Sequence, residues 1–159
     1  MDKKRKKILI CGAGSIGVYL GVMLHLKNHD VKLLGRRKLR GVKETIIING
    51  KEYDVPEKLF RFPKDYHPDF IFVTTKLYDF EKMVKLIKNN KVRYKIIAAA
   101  QNGLVDVSKY SKILGKQIKP LTIFSGFSLD NGKIVVHPTK VGWITEQSKE
   151  GKEISKLLA

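Results

Sequence analysis

Three glycines and two arginines near the start of the chain are residues that could bind phosphate. The glycines stand in the pattern Gly12-Ala13-Gly14-Ser15-Ile16-Gly17. At that spacing each has a separate task. Gly12 permits a tight turn off a strand. Gly14, lacking a Cβ, lets a pyrophosphate approach the backbone. Gly17 lets the following helix lie close to the strand. The start of that helix adds free N–H groups and a partial positive charge. Further along, Gly35-Arg36-Arg37 stands where a site for an unphosphorylated ribose would carry Asp or Glu. Two guanidinium groups there suit a ribose 2′-phosphate, which they can bind bidentately. The competing reading is a pair of solvated arginines opening a helix. The chemistry expected of these residues is binding of a phosphorylated dinucleotide, NADP(H).

Other residue types point to less. The single cysteine, Cys11, excludes an intrachain disulfide and a cysteine-rich metal site. At a strand end, with no His–Asn or His–Asp partner evident, it reads as a small buried residue. His25, His29 and His67 have no metal-binding spacing, and His137 reads as structural or paired with a backbone group. With 159 residues, 43% hydrophobic and 30% charged, the chain fits one globular domain over 1–159. Its apolar runs are too short for a membrane span or a signal peptide, so a cytoplasmic protein is expected. The net charge of +17 could serve nucleic acid. Apart from Lys3-Lys4-Arg5-Lys6-Lys7, however, the lysines are dispersed over positions that read as exposed. No aromatic residues interleave with that cluster, so no nucleic-acid partner is expected.

The elements that must hold these residues can be read in order. Ile8–Cys11 is an apolar run of the kind a buried parallel strand needs, and Val18–Leu26 is apolar over a helix length. Asn28-His29-Asp30 turns the chain into a second strand, Val31–Leu34, completing a βαβ unit. Thr45–Ile48 and Lys51–Val55 flank Asn49-Gly50, a hairpin signature expected at the sheet margin. Strands are expected at Phe70–Thr74, Ile96–Ala99 and Leu121–Phe124. Phe80, Met83, Val84 and Ile87 mark an amphipathic helix between the first two. Beyond Phe124 the pattern changes. Phe124–Leu129 and Lys133–His137 flank a turn at Asp130-Asn131-Gly132, with Val141–Thr145 pairing beyond, and a helix begins near Glu150. The fold class is α/β: a Rossmann-type, doubly wound, mainly parallel sheet with an antiparallel C-terminal tail.

With these landmarks placed, the chain resembles the N-terminal, NADP-binding domain of ketopantoate reductase (2-dehydropantoate 2-reductase). The resemblance rests on the glycine turn, Arg36, Thr74-Thr75-Lys76, Gln101-Asn102-Gly103, and the tail with Val135-Val136-His137 and Gly142. It implies that Gly12 to Gly17, Arg36 and Arg37 bind NADP(H). It also implies that Lys76 contacts the cofactor, and that Asn102 reaches the nicotinamide ribose and the substrate side. Ser128 falls near a family position whose backbone touches the cofactor. The implied reaction is reduction of ketopantoate to pantoate, towards coenzyme A. The family's catalytic lysine and substrate-holding residues belong to a helical second domain and map onto no position of these 159 residues. The chain is therefore expected to bind cofactor without turning over ketopantoate, with self-association through the open face as a possible partner mode. Two alternatives stay open at this stage: another 6-phosphogluconate-dehydrogenase-like NADP reductase, and a regulatory NAD(P)-binding domain.

Overall fold

The computed structural model describes residues 4–35, 44–61, 63–102, 105–130 and 133–159. Strand and helix alternate where the apolar runs change period. The first unit is β1 (Lys7–Cys11), α1 (Ser15–Leu26) and β2 (Asp30–Leu34). A hairpin follows, β3 (Thr45–Ile48) and β4 (Lys51–Asp54), then a 3₁₀ turn over Glu57–Phe60 that the sequence did not signal. Next come β5 (Phe70–Val73), α2 (Leu77–Asn89), β6 (Ile96–Gln101) and α3 (Ser108–Leu114). Two long strands, β7 (Lys119–Asp130) and β8 (Lys133–Thr145), lead into α4 (Lys149–Leu158).

The described strands form one sheet in the order β2-β1-β5-β6-β7-β8-β3-β4. From β2 to β7 every neighbouring pair is parallel. β8 runs antiparallel to β7, β3 runs parallel to β8, and β4 closes the margin antiparallel to β3. The expected parallel core with an antiparallel tail is what forms. Two features differ from the sequence reading. The tail is two continuous strands, with Gly142–Thr145 folding back onto Leu121–Phe124 across a register shift between Phe124 and Gly126. Between those pairs β7 has one residue and β8 has four, 138–141, so the shift takes up three extra residues on β8 while pairing continues along one strand on either side of it. The Asn49-Gly50 hairpin does sit at the margin, but it is joined there through β3 to β8, a pairing of distant segments that no local pattern announces.

Two cores lie on opposite faces of the sheet. One gathers Ile8, Ile10, Phe70, Phe72, Ala98 and Ala100 with residues of α1, α4 and the tail strands. The other gathers Leu9, Cys11, Ile71, Val73, Ile97 and Ala99 under Phe80, Val84 and Ile87 of α2. Thus β1, β5 and β6 are apolar at consecutive positions because both of their faces are covered. The expectation that the lysines outside the N-terminal cluster are exposed fails at Lys119, which is only 6% exposed. Its Nζ lies 2.6 Å from Glu146 Oε1 and 3.5 Å from Glu150 Oε2, and it donates to Gln117 Oε1 at 2.9 Å. Burial pulls its pKa down, but the hydrogen bond and charge of Glu146, aided by Glu150, outweigh burial and hold it above the ordinary lysine value. The cluster fastens the start of α4 to the start of β7. The helix is further fixed by its N-cap, Ser148, whose Oγ accepts from the Gly151 N–H at 3.0 Å, and by buried Ile154, Leu157 and Leu158. Each of those three side chains contributes roughly 1.5–3 kcal/mol by burial.

Candidate functional site

The chain leaves β1 for β2 on one side and later returns to lay β5 on the other. Where neighbouring connections diverge in this way, the carboxyl ends of the strands border a crevice. The glycine turn occupies that position. Gly12 has φ +128°, which L side chains rarely adopt, and a Cβ there would lie 2.6 Å from Thr74 Oγ1. A Cβ on Gly17 would lie 1.7 Å from the Gly12 carbonyl oxygen, so only glycine lets α1 start this close to β1. Gly14 is different. A Cβ there would meet nothing within 4 Å. The backbone is open on that side.

Gly14 is also the N-cap of α1. No side chain caps the helix, and no acidic residue lies in its first turn. The first amides of a helix have no intrahelical acceptor, so those after Gly14 are available to an anion. Ala13 is buried against Gly35, where a Cβ would come within 2.3 Å of the Ala13 Cβ. Ser15 and Ile16 are half-buried in the first turn.

The turn is stitched to its neighbours. The Gly12 N–H donates to Leu34 O at 2.7 Å, at the end of β2, and the Thr74 N–H donates to Cys11 O at 2.8 Å. The Thr74 hydroxyl donates to Gly12 O at 2.8 Å. Thr74 therefore closes one side of the turn, a role that the sequence reading missed. A threonine just past a buried strand, opposite a glycine turn, is the signal that could have found it. Gln101, the first residue of the Gln101-Asn102-Gly103 motif, is the buried last residue of β6. Its Nε2 donates to Thr75 O at 2.8 Å and makes a longer approach of 3.4 Å to Val73 O.

The remaining candidates fall in three places. Lys76 is exposed at the N-cap position of α2, and Asn102 is exposed directly after β6, so both stand at the same end of the parallel sheet as the glycine turn. Arg36 and Arg37 lie outside the described residues. Ser128 is exposed on β7, beyond the register shift, and its Oγ pairs with His137 Nε2 at 3.1 Å. The ring of His137 therefore meets a side chain, where the sequence offered a structural role or a backbone partner, while its carbonyl accepts from Ser125 Oγ at 2.7 Å. Next to Ser128, Phe127 meets Tyr19 of α1 edge-on with ring centroids 5.9 Å apart. Cys11 is fully buried, and burial pushes its thiol up to about 12, which leaves it un-ionised and unreactive near neutral pH. Among the described residues no cluster of His, Cys, Asp or Glu could hold a metal ion, and no helix is long and apolar enough to cross a membrane.

Comparison with known proteins gives a consistent result. The family model described as ketopantoate reductase PanE/ApbA matches residues 8–148. The 2-dehydropantoate 2-reductase of Archaeoglobus fulgidus is 27% identical over 131 residues, covering 82% of this chain and 44% of that protein. The 2-dehydropantoate 2-reductase of Pyrococcus abyssi is 31% identical over 144 residues, covering 86% and 44%. The chain thus spans under half the length of these curated relatives. A crystal structure of a PanE/ApbA family ketopantoate reductase from Ralstonia eutropha matches with a TM-score of 0.75 at 18% identity, covering 96% of this chain and 53% of that one. At that identity the likeness speaks for the fold.

Proposed function

We propose, from the premise that this chain belongs to the ketopantoate reductase PanE/ApbA family, that it is the cofactor-binding portion of an NADP(H)-dependent 2-dehydropantoate 2-reductase. One observation carries the reading: the uncapped start of α1, with Gly14 facing open space, between the end of β2 and the loop after β5. This is a cradle that a pyrophosphate fits and a side chain does not fill. In this reading the amides at Ser15 and Ile16 hold the phosphates. Arg36 and Arg37, directly after Gly35, bind the 2′-phosphate and so favour NADP(H) over NAD(H). Lys76 and Asn102 face the nicotinamide half, with Asn102 also on the substrate side, and the β7 backbone near Ser128 borders the cofactor. The bound nicotinamide supplies the hydride that converts the ketone of ketopantoate to the alcohol of pantoate.

The 159 residues orient the cofactor and place its reactive face at the carboxyl end of the sheet. A proton donor and a wall that closes over the substrate are then supplied by the helical portion typical of the family. The chain alone binds NADP(H) and does not turn ketopantoate over. The protein works in the cytoplasm, and self-association covers apolar surface that is otherwise left open.

Calorimetric titration of the chain with NADPH and NADH tests the reading. NADPH should bind more tightly. Arg36→Ala should weaken NADPH by about 1.5–3 kcal/mol, the scale of a hydrogen bond to a charged group, and leave NADH nearly unchanged. Equal losses for the two cofactors would remove Arg36 from the 2′-phosphate site. Turnover of ketopantoate by the chain alone, at roughly 1 per second or faster, would overturn the division of labour.

A further inference from the structure

We propose that Gln101 is a positioning residue for the cofactor: its side-chain amide ties the loop after β5 to the end of β6, so that Lys76 and Asn102 are presented to a dinucleotide as one unit. The inference rests on the cofactor reading above and deepens it. The parallel ladder between β5 and β6 runs from Phe70 opposite Ile96 to Val73 opposite Ala99. Beyond Val73 the loop Thr74-Thr75-Lys76 continues without a ladder partner on β6.

Gln101 stands two residues past the end of that ladder and is held on its other side by pairing with Thr122 of β7. Its side chain reaches back across the gap, donating to Thr75 O at 2.8 Å, with the longer contact to Val73 O at 3.4 Å. Both partners are carbonyls, which only accept, so the amide must turn its NH₂ towards the loop. Gln101 is 8% exposed, and in that setting a donor–acceptor pair is worth more than at the surface. The hydroxyl of Thr75 offers no substitute, since Oγ1 is buried without a hydrogen-bond partner. On the other side of the loop, the Thr74 hydroxyl holds the glycine turn through Gly12 O. Two side chains, Thr74 and Gln101, therefore link the phosphate cradle, the Lys76 loop and the Asn102 turn in series.

This geometry separates the two halves of a dinucleotide. The adenine and phosphate half needs the glycine turn and the end of β2, which Gln101 does not touch. The nicotinamide half needs the loops after β5 and β6 in register, which Gln101 sets. The probes are NADP⁺, which requires both halves, and 2′-phospho-ADP, which requires the first alone. At neutral pH, Gln101→Leu and Gln101→Glu should each bind NADP⁺ about tenfold more weakly, the scale of one lost buried hydrogen bond, with 2′-phospho-ADP within about twofold of wild type. As the pH falls and the introduced carboxyl of Gln101→Glu protonates, it regains a donor for Thr75 O. NADP⁺ affinity relative to wild type should then recover in Gln101→Glu and stay low in Gln101→Leu.

Parallel weakening of both ligands without acid recovery would mean general damage to the fold and would overturn the proposal. Unchanged NADP⁺ binding in both variants would overturn it as well, while leaving the cofactor reading intact. A wild-type chain that binds neither probe would overturn the cofactor reading and this role together.

Discussion

The parallel half of the sheet and its antiparallel tail are built on different terms. In the first, β1, β5 and β6 are four to six residues long and contribute to the cores on both faces. In the second, β7 and β8 are 12 and 13 residues long, and among the described residues the core on the α2 face contains none of β8, β3 or β4. On that face Thr122 is buried, but two large apolar side chains are left outside. Phe124 is 53% exposed and Ile144 62% exposed, and the register puts both on one side of the ribbon. A strand covered on both faces reads as a near-continuous apolar run. A strand covered on one face can alternate apolar and polar residues. The loops of the first kind of strand are fixed to one another by hydrogen bonds at the carboxyl end of the sheet. The second kind extends the sheet and carries α4.

Substitutions at the two ends of this contrast should behave unlike one another. The largest effect is expected at Gly17→Ala, which forces a Cβ against the Gly12 carbonyl. It should cost about 3 kcal/mol or more in urea denaturation, at the upper end of overpacking, and abolish dinucleotide binding. A loss below about 1 kcal/mol would mean that α1 can move off β1, and the parallel half would be less rigid than described.

The tail is also tied by a buried polar cluster. Glu146→Ala leaves the Lys119 ammonium buried with Glu150 as its remaining carboxylate. Because Glu146 is itself partly exposed, the expected cost is about 2 kcal/mol, below the range for a fully buried pair. The same pair gives a pH signature. The Lys119 hydrogen bond, followed by that of Ser148, holds Glu146 below its ordinary value of 4.5. Stability from this carboxylate is therefore fully present above that ordinary value and is lost as pH falls through the lower, folded-state one. Glu146→Gln should be less stable than wild type near neutral pH, and the gap should narrow in acid. A gap that does not change with pH would show that packing, not charge, holds α4.

Smaller effects sharpen the comparison. Thr74→Val removes the hydroxyl that holds Gly12 O and should cost about 1 kcal/mol, with a larger proportional effect on cofactor affinity than on stability. Ile144→Thr on the uncovered face should change stability by less than about 0.5 kcal/mol, as substitutions at exposed positions do. If instead it destabilises the chain as a core residue would, that face is packed in solution, and sedimentation should reveal the association that covers it.

How much of this was legible in the sequence follows from the same contrast. The strands buried on both faces announced themselves as unbroken apolar runs, and the glycine turn was readable because its chemistry requires fixed spacing. Asn49-Gly50 was readable too, and both residues have positive φ, 53° and 76°, as a two-residue hairpin turn demands. The pairing of β3 with β8 was hidden because it joins segments nearly ninety positions apart through contacts that leave no local pattern. Lys119 was hidden among 32 basic residues, its main partner lying 27 positions downstream. Gln101 and Thr74 were hidden because their work is done by single hydrogen bonds across loops, which neither periodicity nor composition records. The reading of Arg36 and Arg37 rests on sequence alone.

The open side of Gly14 has a consequence for how such a chain can change over generations. At Gly12 and Gly17 the fold itself forbids a side chain, so those positions stay glycine as long as the protein folds at all. At Gly14 the fold is indifferent, and a serine there could even cap α1 and occupy the amides on its own account. On the proposed cofactor reading, it is the ligand that keeps that position bare. On that reading, a lineage released from binding a dinucleotide would drift at Gly14 while holding Gly12 and Gly17, so that one of the four positions between them would report the loss of the ligand.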